Sequence, residues 1–389
     1  MSDYNDIKPI LVKSFGGIAL IFLFLLSIFS GCIQQSLMSN DTVMEAPKQK
    51  IIFNDTLGNL VELSHPAERI IVNYESSAEM LVTIGAADHI VGIDYATKPY
   101  RKDITEKLRP NVKNIGDYSN FYVEIISQMH PEDIDVIIGT STPPKNLAQL
   151  QSLNPRSIVY FNCRNLEQLN NEAYALGEMT GHHDDAQRYI RFNQKYQELV
   201  ESRLVDLSED EIPTVYGIYG SASQGFVVTP ECTFGGQIIS ILHARNPNGD
   251  LNVSPAKVNP EWIFQKDPDI IINIGHWGSG DGYAIKGDSI GSARNDFINR
   301  TSYKTLKAVQ TDRVYFCNMG LVNGPRSVIG LIYLAKAIYP NHFADIDPDA
   351  VRREYAQEFG FGDEPGVEWF YPPFEPVNTT AADVNATRK

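Results

Sequence analysis

Four cysteines in 389 residues, with no Cys-x-x-Cys pair, provide neither a disulfide framework nor a zinc signature. One stands at position 32, and the other three, Cys163, Cys232 and Cys317, are widely spaced. Positive charge is also scarce. Against 48 Asp and Glu there are 33 Lys and Arg, a net charge of −15, which opposes a nucleic-acid partner and broad adhesion to anionic lipid. Anionic small ligands stay open, because one local Arg can outweigh the global field. No Gly-x-Ser-x-Gly, His-Glu-x-x-His or Walker sequence occurs, so the common motifs of exported hydrolases, zinc proteases and nucleotide binders are missing. Histidine is sparse, at eight residues. Only His276 falls naturally at a strand's carboxyl end, so no bare-metal site and no resident cofactor is expected. Asp345-Ile-Asp-Pro-Asp349 alternates acids without the Gly of a calcium loop and reads as a helix cap.

What is present is the composition of a globular chain, 43% hydrophobic and 21% charged, too long for one ordinary core and suited to two domains. The N-terminus carries an address. Lys8 and Lys13 precede an uncharged apolar stretch, Phe15 to Phe29, followed by Ser-Gly-Cys32. This layout predicts a signal peptide over residues 1–31, lipidation at Cys32 and a polar tether over 32–50. The alternative is an uncleaved anchor, since Phe15–Ile33 is 19 residues long. Both place the rest of the chain on the outer face of the cytoplasmic membrane.

Folded sequence is expected from Ile51. Ile51–Phe53 and Leu60–Leu63 flank a turn and predict a hairpin. Strand-type and helix-type runs then alternate to Phe161, which predicts a mostly parallel sheet covered by helices on both faces. A helical stretch from Leu166 to Leu207 breaks near Gly181. Its second part, Asp184 to Val205, would span ~33 Å at 1.5 Å per residue, enough to run across two lobes. The alternation resumes at Thr214, and Asp347-Pro348 starts a last helix. The expected division is 51–162 for the first α/β lobe, 163–207 for the connecting helical segment and 212–343 for the second α/β lobe. A terminal helix over 344–361 and a Pro-rich, then disordered, tail over 362–389 complete it.

One pattern occurs in both halves. Glu124-Ile-Ile-Ser-Gln-Met-His-Pro131 leads into an apolar run ending at Gly139, and Glu261-Trp-Ile-Phe-Gln-Lys-Asp-Pro268 into one ending at Gly275. The match predicts two related units, each presenting a Glu at an equivalent place. Ligands of open α/β sheets bind beyond the carboxyl ends of strands. That rule selects Tyr74, Tyr95, Arg101, Tyr219, Phe226, His276, Trp277, Asn318 and Arg326. Aromatics there suit a large flat or greasy ligand, and Arg suits an anionic one.

Several segments, in their order and spacing, resemble one family. They are Phe53-Asn-Asp-Thr-Leu-Gly-Asn-Leu-Val-Glu-Leu63, Ala67-Glu-Arg-Ile-Ile-Val72 and Leu81-Val-Thr-Ile-Gly-Ala-Ala-Asp-His-Ile-Val-Gly-Ile93. Gly116-Asp-Tyr118, the two Glu…Pro segments, Leu176-Gly-Glu-Met-Thr-Gly181, Leu306 to Tyr315 and Leu331 to Pro340 continue the match. Together these are similar to the periplasmic-binding proteins for iron–siderophore complexes and cobalamin. The resemblance implies two α/β lobes joined by a single long helix, a ligand cleft between them, and delivery of ligand to an ABC importer. By motif position it also implies that Glu124 and Glu261 pair with Arg residues of the permease. The expected function is therefore that of a lipid-anchored, monomeric, non-catalytic receptor for a metal chelate, most simply a ferric siderophore-type complex. A corrinoid or haem is the alternative within the same importer class. An exported enzyme or a lipid-anchored sensor or adhesion protein is the rival from another class.

Overall fold

Short runs of Ile and Val build the centre of each half. They are buried on both sides, and strands with both faces covered need no polar alternation. The computed structural model describes residues 50–94, 97, 101–153, 155, 157–220, 225–275, 289–362 and 368–375. A hairpin of β1 (Ile51–Asn54) and β2 (Leu60–Leu63) comes first. In the first lobe β3 (Ile70–Val72), α1 (Glu75–Thr83), β4 (Ile90–Ile93) and β5 (Lys113–Asn114) follow. Then come the small ribbon of β6 (Gly116–Asp117) and β7 (Asn120–Phe121), α2 (Val123–Ser127), β8 (Val136–Gly139) and β9 (Ile158–Tyr160). The sheet order is β5-β4-β3-β8-β9, parallel throughout.

Two helices lead out of this lobe, α3 (Leu169–Thr180) and α4 (His183–Leu204). Gly181, at φ 77°, ends the first in the left-handed conformation that favours glycine. Tyr189, Ile190, Phe192, Tyr196, Val200 and Leu204 form the buried stripe of α4. The long helix thus lies within one residue of its expected limits at each end.

The second lobe contains β10 (Val215–Tyr219), β11 (Phe226–Val227), β12 (Ala256–Lys257), α5 (Trp262–Lys266), β13 (Ile270–Gly275) and β14 (Val314–Asn318). After them come α6 (Ser327–Ile338), α7 (Pro348–Glu358) and β15 (Phe370–Tyr371). Its sheet order is β12-β11-β10-β13-β14-β15. Strands β10, β13 and β14 are parallel, and the edges are antiparallel. The second sheet is therefore mixed around a parallel centre.

The centres of the lobes match, β3-β8-β9 against β10-β13-β14. In each, an Asp just before the middle strand accepts hydrogen bonds from the backbone leading into its neighbour. Asp135 takes Glu68 N at 2.9 Å and Arg69 N at 3.0 Å, and Asp269 takes Thr214 N at 2.7 Å. The C-terminal segment differs from its expected loop-then-tail character. The aromatic run Trp369–Tyr371 pairs with β14, and Trp369 and Phe370 are buried. Burial of two large rings outweighs the flanking prolines.

Candidate functional site

The carboxyl ends of strands from both lobes converge on a cleft of about 600 Å³. The first lobe contributes Tyr74 after β3, Thr140 to Thr142 after β8, and Asn162 and Arg164 after β9. The second contributes Glu231, Cys232, Thr233 and Phe234, in the turn beyond β11, and Ser254. Arg164 sits at the centre. Its guanidinium carbon lies 5.3 Å from the ring centroid of Tyr74 and 5.3 Å from that of Phe234. One amino group donates to Thr233 Oγ1 across the cleft at 2.9 Å. Its Nε is buried and meets no hydrogen-bond partner among the described residues. Behind Phe234, Tyr219 stacks at 4.8 Å and an interplanar angle of 13°, with Phe226 edge-on to it at 6.4 Å.

A guanidinium held against aromatic faces in a cleft can pair with an anionic group that also presents a flat or apolar surface. Burial pushes the Tyr74 phenol up to about 12, against the pull of Arg164. It therefore stays a neutral hydrogen-bonding group at neutral pH. Hydroxyls of Thr140, Ser141 and Thr142 and the amide of Asn162 supply further polar contacts on the first-lobe wall.

The structure brings two of the expected ligand residues to this cleft, Tyr74 directly and Tyr219 as the support of Phe234. Phe226 packs beside Tyr219 but lines a separate small crevice with Ile218 and Ile263. Asn318 is buried at the end of β14, where its side chain caps the next turn by accepting Gly320 N at 2.9 Å. Arg101 and Arg326 are not at the cleft. They are buried beside Glu79 and Asp103, whose charges hold them. Tyr95, His276, Trp277 and Cys32 lie outside the described residues. Among the described residues no group of three or more His, Cys, Asp or Glu side chains is arranged to hold a metal ion.

Glu124 and Glu261 are both exposed, away from the cleft lining. Glu124 lies in the first turn of α2, and Glu261 stands just before α5, where Asn259 Oδ1 accepts its N–H at 2.9 Å.

Arg164 is the residue that sequence reasoning passed over. Its signal was available, because it stands three positions beyond Phe161, at the carboxyl end of an expected strand. The same rule that selected Tyr74 selects it when every strand end is read. Phe234 carried no such signal, since it lies in a turn whose direction only the tertiary fold sets.

A family model described as "Periplasmic binding protein" matches residues 70–319. The uncharacterized ABC transporter substrate-binding lipoprotein YvrC of Bacillus subtilis strain 168 is 22% identical over 301 residues, covering 76% of this chain and 87% of its own length. Among solved structures, the TroA-like periplasmic binding protein FepB of Veillonella parvula superposes with a TM-score of 0.69 at 23% identity, over 82% of this chain and 99% of that one. The molybdate periplasmic binding protein MolA of Haemophilus influenzae, bound to molybdate, superposes with a TM-score of 0.62 at 17% identity, over 79% of this chain and 97% of that one. At these identities the structural likenesses establish the two-lobed fold.

Proposed function

Since the chain belongs to the periplasmic binding protein family, we propose that it captures an anionic metal chelate in the interlobe cleft and presents it to an ABC importer. It is a solute-binding protein and not an enzyme, as the family's members are. The observation that carries the ligand class is Arg164, clamped between Tyr74 of one lobe and Phe234 of the other. A cleft of about 600 Å³ suits a ligand of chelate size and is far larger than a bare oxyanion needs. A ferric siderophore-type complex with anionic donor groups offers both the charge for Arg164 and the flat rings for its aromatic neighbours.

The relative in Bacillus subtilis is named as a substrate-binding lipoprotein. This supports placing the present chain on the outer face of the cytoplasmic membrane, held by a lipid at Cys32. Glu124 and Glu261 then serve as the paired contacts for the permease, one per lobe.

The ligand reading is tested by calorimetric titration of residues 33–389 with an anionic ferric catecholate, cobalamin, haem and molybdate. The ferric chelate is expected to bind tightest. Arg164→Ala removes a charge-assisted contact of about 1.5–3 kcal/mol, so the Kd for the ferric chelate should rise roughly 10- to 150-fold. Tight binding of haem or cobalamin without the ferric chelate would move the assignment to those ligands. Affinity unchanged by Arg164→Ala would overturn it.

A further inference from the structure

We propose that the largely buried quartet of Glu79, Arg101, Asp103 and Arg326 sets the angle between the lobes, with Arg326 as a positioning residue for the cleft. The cleft's role as ligand site is the reading given above; the quartet's geometry is independent of it. Glu79 on α1 accepts Arg101 Nη2 at 2.7 Å and Arg326 Nε at 2.6 Å. Asp103 accepts Arg101 through Nε at 3.0 Å and Nη2 at 2.9 Å, and it also accepts Arg326 Nη2. Two positive and two negative charges balance. Glu79, Arg101 and Asp103 belong to the first lobe, whereas Arg326 stands between β14 and α6 of the second.

Burial decides what the quartet is for. The Glu79 and Arg101 side chains are each 2% exposed, Arg326 is 8% exposed and Asp103, the most accessible of the four, is 16% exposed. Removing such charges from water costs several kcal/mol per ion, and their mutual attraction roughly offsets that cost. Apolar side chains of similar volume would hold the lobes together equally well. They would not supply direction. A guanidinium is a planar fork, and two forks shared between two carboxylates fix distance and orientation at once.

The same segment reaches the ligand cleft. Asn323 is buried close enough to the Tyr74 hydroxyl to oppose the rise of its phenol, and Tyr74 is the first-lobe residue that flanks Arg164. Gly324, at φ 97°, lies against Ser76 and Glu79, where a Cβ would come within 3.3 Å of Ser76 Oγ. Tyr189 of the long helix donates to Pro325 O at 3.0 Å. Arg326 therefore anchors a second-lobe loop whose neighbouring residues touch α1, α4 and the cleft tyrosine. The C-terminal segment covers the anchor: the Arg326 guanidinium lies 4.7 Å from the Phe361 ring and 5.8 Å from that of Trp369. Lys107 of the first lobe donates to Gly360 O beside it.

The test measures interlobe distance in the ligand-free chain by electron–electron double resonance. Spin labels go on Lys113→Cys and Lys304→Cys, both exposed, in a Cys32→Ser background; Cys163, Cys232 and Cys317 are buried and do not compete. Arg326→Lys keeps the charge and loses the fork. Its distance distribution is expected to broaden and shift, with cooperative unfolding retained. The charge-balanced pair Arg326→Met with Asp103→Asn should do the same, and it decides the matter where Arg326→Lys fails to fold. A folded variant of either kind whose distribution superimposes on the wild type overturns the proposal. Failure of the ligand reading would appear separately, as affinity indifferent to Arg164, with the distance result unaffected.

Discussion

His130 and Asp267 hold the same backbone state at the same place in the two lobes, left-handed with φ of 54° and 34°, each directly before a proline. Glu124 and Glu261 lie six positions ahead of them. Glu124 is the second residue of the five-residue helix α2, and Glu261 stands just before the five-residue helix α5. The two acids thus keep the same six-residue spacing to a matching left-handed residue. Both are exposed, and neither lines the cleft.

On the proposed reading, docking and capture therefore use separate residues. Glu124→Ala and Glu261→Ala should leave the Kd for ligand within about twofold, because the sites are distinct and such effects add independently. Each should impair uptake by the importer, and the double variant should impair it most. Uptake assays in cells alongside calorimetry on the purified chain check both halves. Wild-type uptake by the double variant would remove the docking assignment.

The two left-handed residues differ in what their side chains do, which gives a paired stability test. A left-handed conformation costs a non-glycine residue roughly 1–2 kcal/mol, partly returned by glycine's greater chain entropy. The exposed His130 ring lies 3.5 Å from exposed Glu132, a contact of little worth. His130→Gly should therefore be neutral to stabilising by up to ~1 kcal/mol. Asp267 Oδ1 instead accepts Lys307 N at 3.0 Å, at the start of the short helix Lys307–Gln310. Asp267→Gly loses that cap, worth ~1 kcal/mol, and should show no gain. Urea midpoints of the two variants measure the difference, and equal shifts would contradict it.

Acid should weaken the interlobe quartet in a predictable direction. Burial acts to raise the Asp103 carboxyl, but Arg101 and Arg326 together hold it well below the usual carboxylate range. A depressed folded-state pKa contributes stability that is present above the unfolded value, about 4. That contribution is lost as pH falls from there towards the folded value. The stability advantage of the wild type over Asp103→Asn should consequently be full at pH 7 and smaller at pH 3. Denaturant melts of both proteins at the two pH values provide the comparison. An advantage that stays constant or grows on acidification would show that Asp103 is not held ionised by its arginines.

Much of the fold was legible because its signals are local. Ile70–Val72 and Ile270–Ile272 are continuous apolar runs that only strands covered on both faces require. Gly181 and the stripe from Ala186 to Leu204 delimit the long helix. The arginines of the site were harder, for a physical reason. A strand-end Arg reads the same whether it faces a ligand or a carboxylate, and the partner of Arg326 is Glu79, 247 residues away on a helix of the other lobe. No pattern along the chain reports that pairing. Arg164 was reachable by the strand-end rule, yet its aromatic neighbour Phe234 depends on how the second lobe meets the first. Trp369-Phe370-Tyr371 escaped notice because prolines on either side give the segment the look of a loop.

That last segment is where a small change should have a large structural effect. Strand β15 adds to β14 with Cys317 opposite Phe370, and Asn318 N donates to Trp369 O at 2.9 Å. The Phe370 ring lies 5.6 Å from Tyr315, 5.4 Å from Tyr333 and 5.3 Å from Phe374, a cluster built by α6, β14 and the tail together. Removing a buried aromatic side chain costs about 3–5 kcal/mol, so Phe370→Ala should lower the denaturation midpoint by a corresponding amount. Truncation before Trp369 should do more. It uncovers the edge of β14, a strand with unpaired backbone groups that then templates association, and it strips one of the two rings that cover Arg326. The truncated chain is therefore expected to unfold earlier and to aggregate, measured by calorimetry and light scattering. Removal of only the residues after Glu375 should leave both readouts unchanged. A chain ending before Trp369 that stayed monomeric with a wild-type midpoint would show that the tail strand is dispensable to the second lobe.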